Sequence, residues 1–124
     1  MPRDPRELLP LKPIVFEALL TLADGQRHGW SLVRDLQQRM GGARLLPGNF
    51  YRVLRSMVDE GLIEEHEPSR TERSQAAAET GANAERRRYF ALTAFGRSVA
   101  RAEAVRLEGL VAESRRRRLL SSRA

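Results

Sequence analysis

The apolar positions in the first half of the chain recur at helical spacing and predict three helices. The first, residues 14–23, is apolar on most faces, follows Pro13 and ends at Asp24-Gly25, as expected of a central buried helix. The second runs from about Gly29 to Met40, before Gly41-Gly42, and its apolar stripe is assigned to the core. That stripe contains Trp30, Val33, Leu36 and Met40.

The third helix has the clearest pattern in the chain. Pro47-Gly48-Asn49 opens it, Gly61 closes it, and its apolar residues recur at i, i+3, i+4, i+7 and i+8. These are Phe50, Val53, Leu54, Met57 and Val58. The positions left to face outward are polar and include two arginines, with no acid before Asp59. They are Asn49, Tyr51, Arg52, Arg55 and Ser56.

The second half predicts two strands and a long helix. Residues 62–67 and 87–92 have strand character, and the connection between them, about residues 68–86, is much longer than a normal hairpin loop and is expected to be mobile. Thr93 can cap a last helix, and no proline interrupts the chain after it. The predicted fold class is therefore α+β and mostly α.

The last helix carries more apolar surface than one small domain can cover. A frayed, arginine-rich tail is one interpretation, but a broad apolar band over several turns favours packing against a twin helix in a homodimer. The expected dimerisation residues are Phe95, Val99, Ala102, Leu107, Leu110 and Val111. The chain then divides into residues 1–92 and a dimerisation helix with a basic tail, residues 93–124.

Composition excludes several classes of protein. A chain of 124 residues has room for one modest core, and the absence of cysteine excludes disulfides, thiolate zinc sites and cysteine nucleophiles. No apolar run approaches the roughly 18 residues of a membrane span, and no signal peptide is recognisable. We therefore expect a cytoplasmic protein that does not bind a membrane.

The net charge of +6 points to a polyanionic partner. Lys12 is the only lysine, so the positive charge is arginine, and it is concentrated after residue 85, including Arg86–Arg88 and Arg115–Arg118. Clustered positive charge favours binding to nucleic acid through phosphate contacts. Arginine runs can also be merely solvated, and Arg115–Arg118 could equally grip DNA or form a solvated helix end.

The order of three helices, two strands and a loop is that of a winged helix-turn-helix domain. In this fold the third helix enters the major groove of DNA and the hairpin lies along the phosphate backbone. Arginine and asparagine pair well with the acceptors of base edges, which suits the outward face of the third helix. Arg86, Arg87 and Arg88 stand at the base of the wing, where guanidinium groups can bind phosphates.

Four motifs resemble those of the PadR-like transcriptional regulators. They stand in the family's order: His28-Gly29-Trp30, Leu46-Pro47-Gly48-Asn49-Phe50-Tyr51-Arg52-Val53-Leu54, Glu60-Gly61-Leu62-Ile63 and Arg88-Tyr89-Phe90-Ala91-Leu92-Thr93-Ala94-Phe95-Gly96-Arg97. The resemblance as a whole covers about residues 11–110. The resemblance is to the short subfamily with one C-terminal dimerisation helix. It implies a DNA-binding regulator, a repressor by family precedent, on an inverted-repeat operator.

Departures from the family pattern fall on the DNA side and the wing. Asn49-Phe50 replaces Thr-Leu, and Arg52 stands where the family commonly has proline, which adds a donor. Tyr51 matches a family residue expected to bond a phosphate, although simple packing is the alternative. The wing loop is long and acidic, so the DNA contacts of the wing are assigned to its stem, Arg86–Arg88.

Other functions have little support in the sequence. The serines lack an evident general base and no phosphate loop or metal constellation is present, so we expect no enzyme, no catalytic residue and no cofactor. His28 is expected to be structural, and Glu64 with His66 makes only a weak metal site conceivable. A small-molecule effector is possible but its identity is unknown. The alternative function is a protein-interaction module whose basic face and long helix bind an acidic partner.

Overall fold

Helices surround a small sheet in the computed structural model, which describes residues 3–39, 47–66 and 88–121. A short 3₁₀ helix, Pro5–Leu8, precedes the regular elements. In chain order these are α1 (Pro13–Leu22), β1 (Arg27–His28), α2 (Gly29–Arg39), α3 (Pro47–Asp59), β2 (Ile63–His66), β3 (Tyr89–Leu92) and α4 (Ala94–Arg116). The expected loop at residues 68–86, Gly41-Gly42 and the arginines Arg86 and Arg87 lie outside the described residues.

The sheet is antiparallel, with the strand order β1-β3-β2. β1 was not predicted, because two residues are too few to show alternation. It pairs Arg27 with Phe90 and His28 with Tyr89, and the His28 and Tyr89 rings lie 4.1 Å apart. His28 is thus part of the sheet, in agreement with a structural role. The helices, this sheet and the long last helix form the winged helix-turn-helix fold that the sequence predicts.

The core forms where α1, α2, α3, the sheet and the first half of α4 meet. Its buried side chains include Leu36, Phe50 and Leu54, as the helical stripes predict, together with Leu19 of α1 and Ile63 of β2. Trp30 is a correction to those stripes. The residue is 38% exposed, and its ring lies under the guanidinium of Arg34, whose Cζ is 4.4 Å from the ring centroid. At the first turn of α2 the indole reaches the domain surface, and Leu32 is the residue that enters the core.

Val99 is a second correction. The sequence assigns it to the dimer contact, but it has no exposed surface and belongs to the core of its own chain. A side chain that is already fully buried has no surface to offer a partner. The first turns of α4 therefore complete the winged domain instead of projecting from it.

The N-terminal arm, residues 3–12, packs along α4. The Leu11 N–H donates to Glu103 Oε2 at 2.9 Å, joining residues that are 92 positions apart. Arg3 lies over the Phe95 ring, with Cζ 4.7 Å from the centroid, and its guanidinium also donates to the Glu60 carbonyl. The arm thereby covers part of the apolar band that the sequence left to a partner subunit.

Thr93 caps α4, as predicted, and also ties the helix to the end of α3. Its hydroxyl oxygen accepts from the Gly96 N–H at 2.9 Å, while the hydroxyl donates to the Gly61 carbonyl at 2.6 Å. Gly61 has a φ of 80°, a left-handed conformation that glycine adopts without strain, and this ends α3 where the sequence predicts. Within the parts of the chain that the structure describes, no helix is long and apolar enough to cross a membrane.

Candidate nucleic-acid interface

One side of α3 is polar and exposed, and the opposite side is fixed in the core. Phe50, Leu54 and Met57 are almost completely buried, which sets the rotation of the helix about its axis. The exposed side carries Asn49, Arg52, Arg55 and Ser56, four of the predicted contact residues. The structure thus brings these four side chains together on one surface, within about two turns of helix.

Tyr51 and Ser56 have contacts within the chain. Tyr51 is half-buried, and its ring meets the Phe50 ring edge-on, with centroids 6.3 Å apart. The Ser56 hydroxyl lies 3.5 Å from Oε1 of Glu60, the residue that follows the end of α3. Both the packing role and the phosphate role of Tyr51 are compatible with this position.

A single carboxylate links α3 to the stem of the wing. Glu65 in β2 accepts from the Arg55 guanidinium through Oε2 at 3.1 Å, and from the Arg88 guanidinium through Oε1. The Glu65 side chain is only 10% exposed, whereas that of Arg55 is 54% exposed. Glu65 therefore binds both Arg55, which is expected to contact bases, and Arg88, which is expected to contact phosphates.

Sequence reasoning missed Glu65, although a signal for it was present. Alternation along β2 sends Glu64 and His66 to one face, and their side chains do meet at 3.3 Å. The same alternation sends Ile63 and Glu65 to the other face, toward the core and α3. Among the described residues no group of three potential ligands surrounds Glu64 and His66 to hold a metal ion.

Comparison with known proteins agrees with this geometry. A family model described as the transcriptional regulator PadR-like family matches residues 18–102. The chain belongs to the PadR-like family. Members of this family are transcriptional regulators that bind DNA and usually dimerise, and the expectation that the chain is not an enzyme is confirmed by this membership.

A solved structure supports the fold of this PadR-like chain. It is described as a complex structure of hsRosR-S4, with 23% sequence identity and a TM-score of 0.62. The match covers 94% of the present chain and 90% of the other. No curated protein sequence matches at a significant level.

The second half of α4 has an exposed apolar surface that the rest of the domain does not cover. Val99, Glu103, Leu107 and Leu110 follow one another at three- or four-residue steps, so they share one side of the helix. Val99 and Glu103 are buried on this side, but Leu110 is 51% exposed and Val111 beside it 37% exposed. The side of α4 that packs on the core at Val99 and Glu103 thus remains apolar at Leu110. No helix or strand among the described residues covers it there.

The remaining expected dimerisation residues lie nearer the domain. Phe95 and Ala102 are half-buried, Phe95 beneath Arg3 and Ala102 beside the N-terminal arm. An open groove of about 660 Å³ runs where the arm and α4 meet, and its apolar lining includes Leu9, Ala102 and Val105. A smaller groove, about 390 Å³, lies between the arm and α3, with Lys12 and Arg52 at its edge.

Glu103 is a buried acid within the apolar band of α4, and the sequence analysis did not single it out. Its carboxylate accepts from Arg106 Nε at 2.5 Å and from the Leu11 N–H. The hydrogen bond from the Arg106 guanidinium, assisted by the Leu11 N–H, holds the pKa of Glu103 below its usual value despite burial. The carboxylate is therefore ionised at neutral pH and ties the N-terminal arm to α4.

The basic end of α4 has one acidic partner, Glu113, and one backbone carbonyl partner among the contacts of the described residues. The guanidinium groups of Arg116 and Arg117 both pair with Glu113, and Arg115 Nε donates to the Ser121 carbonyl at 3.0 Å. These contacts favour a solvated helix end over a DNA-gripping cluster, because part of the positive charge is already neutralised.

Proposed function

We propose that this PadR-like chain is a sequence-specific repressor that binds an inverted-repeat operator as a homodimer, with α3 in the major groove. The observation that carries the proposal is the exposed side of α3, where Asn49, Arg52 and Arg55 project from a helix whose other side is locked in the core. The repressor role follows the family resemblance. Such a role also locates the protein with the DNA, in the cytoplasm of a prokaryotic cell.

The residues divide into base readers and backbone contacts. Arg52 and Arg55 are suited to guanine, because a guanidinium donates two parallel hydrogen bonds to guanine O6 and N7. Asn49 can bind an adenine edge or a phosphate, and Tyr51 and Ser56 can donate to phosphates. Arg88, together with Arg86 and Arg87 outside the described residues, is assigned to phosphates on the wing side.

The dimer is proposed to form through the second half of α4. Leu107, Leu110 and Val111 continue the apolar stripe beyond the domain, and a second copy of the same helix would cover it symmetrically. A two-fold dimer places its two α3 helices in successive major grooves, so the half-sites are expected about 34 Å apart or at a multiple of that spacing.

The test is selection of bound duplexes from a random pool, followed by titration of the selected and scrambled duplexes over a salt series. Arg52→Ala and Arg55→Ala are each expected to cost about 1–3 kcal/mol on the selected duplex and to relax discrimination at one or two base pairs. Arg101→Ala is the matched control. Arg101 is an exposed arginine on α4, so its replacement removes the same charge at a position away from α3.

The outcome separates DNA recognition from the alternative of a protein-interaction module. Equal loss of affinity for selected and scrambled duplexes in both α3 variants would show that α3 does not read sequence. Failure of the wild-type chain to enrich any duplex would favour an acidic protein as the partner of the basic surface.

A further inference from the structure

The contact that sequence reasoning missed, the bridge from Arg55 through Glu65 to Arg88, has consequences for how the chain reads DNA. Glu65 lies on the inner face of β2, opposite Phe90 of β3, and its side chain is 10% exposed. Each of its two carboxylate oxygens accepts from a different arginine, one on α3 and one immediately before β3. The acid therefore joins α3 to the stem of the wing, the two parts of the chain to which the proposed function assigns DNA contacts.

We propose that Glu65 is a specificity-determining residue, which positions Arg55 for a base edge and suppresses contacts of Arg55 and Arg88 with phosphates on random DNA. This rests on the proposed function of α3. Glu65 itself contacts no DNA in this proposal, because its side chain is buried behind the two arginines.

The first part of the argument concerns geometry. An arginine side chain loses considerable rotamer freedom when it is fixed, up to about 2 kcal/mol. Arg55 has already lost part of that freedom, since one N–H of its guanidinium is bonded to Glu65. The other N–H groups of its planar fork keep a defined direction. A base edge that fits this direction is bound at a smaller entropic cost than one that does not.

The second part concerns charge. The two arginines and Glu65 together carry a net charge of +1, so the acid neutralises half of the positive charge that they could offer to phosphates. Phosphates surround every DNA sequence, and any free guanidinium therefore binds random DNA. Glu65 competes with phosphate for both arginines at once, which weakens binding to random duplexes more than binding to a site with a matching base.

Glu65→Gln tests both parts, because glutamine keeps the size of the side chain and removes its charge. Each additional phosphate contact makes the slope of log K against log salt more negative by about 0.9. Over the decade from 1 M to 0.1 M salt this tightens binding to a random duplex about eightfold per contact. Discrimination between the selected duplex and one mutated at the Arg55 base pair is expected to fall about tenfold.

Glu64→Gln is the matched control. Glu64 is the neighbouring residue of the same strand, and its side chain lies on the opposite face, where it contacts His66. Its replacement by glutamine makes the same change in net charge. It is expected to leave both the discrimination and the salt slope close to those of the wild type. Equal effects of the two substitutions would overturn the proposal, because they would reflect net charge alone.

A double-mutant cycle shows whether Glu65 acts through Arg55. In an Arg55→Ala background, Glu65→Gln is expected to have no further effect on discrimination, and a further loss there would contradict the positioning role. Glu65→Asp separates position from charge and also serves if the glutamine variant unfolds. It retains the charge but shortens the side chain, so discrimination should fall while the salt slope stays that of the wild type.

The failure of this proposal can be told apart from the failure of the proposed function. A wild-type chain that binds selected and random duplexes alike would overturn the proposed function, and this proposal with it. A wild-type chain that discriminates as expected, with unchanged discrimination in Glu65→Gln, would overturn the role of Glu65 alone.

Discussion

Gly96 in the first turn of α4 lies close against the backbone of the loop before β2. A Cβ at this position would lie 1.8 Å from the Leu62 carbonyl oxygen and 2.8 Å from its carbonyl carbon. Both partners are backbone atoms, so no side-chain rotation can relieve the contact. Gly96→Ala therefore forces α4 and residue 62 apart by more than about 1 Å to reach an ordinary separation.

The displacement also strains the cap of α4. The Thr93 hydroxyl contacts the carbonyls of Gly61 and Leu62, while its oxygen accepts from the Gly96 N–H. Overpacking costs about 1–3 kcal/mol and loss of a cap about 1 kcal/mol more. We expect a loss of about 3 kcal/mol, a large part of the roughly 5–15 kcal/mol of a typical domain. At about 4 °C per kcal/mol, Tm should fall by about 12 °C.

Thermal and urea unfolding at a fixed protomer concentration measure this effect, since dimerisation makes Tm depend on concentration. Gly109→Ala is the control in the same helix, because a Cβ there meets nothing within 4 Å. Alanine is preferred over glycine within a helix by about 0.5–1 kcal/mol, so this variant should be slightly more stable than the wild type. A Tm for Gly96→Ala close to that of Gly109→Ala would refute the close approach.

Three further predictions address the arm, the dimer and the wing. Glu103 is stabilising above its ordinary pKa of 4.5, because its pKa is lowered in the folded chain, and this contribution is lost as the pH falls below that value. Glu103→Gln should therefore lower the free energy of unfolding by about 2 kcal/mol at pH 7 and by progressively less toward pH 3. Urea unfolding at each pH measures this loss, and an equal loss at pH 7 and pH 3 would contradict the assignment. Replacing both Leu110 and Val111 with glutamate should convert the proposed dimer to a folded monomer, measured by light scattering. A variant that remains dimeric would place the interface elsewhere. Deleting residues 71–84 and closing with a short turn should leave DNA affinity nearly unchanged, since loop length affects stability weakly, whereas a large loss would show that the loop contacts DNA.

The helices could be predicted from the sequence because each buries one periodic face. The stripe of α3 fixed both its bounds and its exposed side, so the candidate DNA-binding residues of this helix followed from the pattern alone. Trp30 and Val99 show the limit of such stripes. Periodicity gives the side of a helix that is apolar, but it does not tell which turns of that side meet the chain's own core, the solvent or a partner.

The contacts that pattern could not predict join distant parts of the chain. Glu65 appeared as one of several acids in a strand, and only the packing of α3 against β2 brings it to Arg55. Glu103 interrupts an apolar band, and its reason for being there is a backbone N–H of the N-terminal arm, 92 residues earlier. A buried acid in an apolar stripe is a signal that some donor must meet it, but the sequence does not say which.

The docking of the arm on α4 bears on the order in which the protein can be made. Residues 3–12 leave the ribosome before Phe95 and Glu103, which they contact, have been synthesised. During translation the arm has no native surface to bind, because α4 must emerge and Val99 must enter the core first. The arm is therefore expected to acquire protection from proteolysis only after α4 has been synthesised, so nascent chains that stop before α4 should be cleaved within residues 3–12.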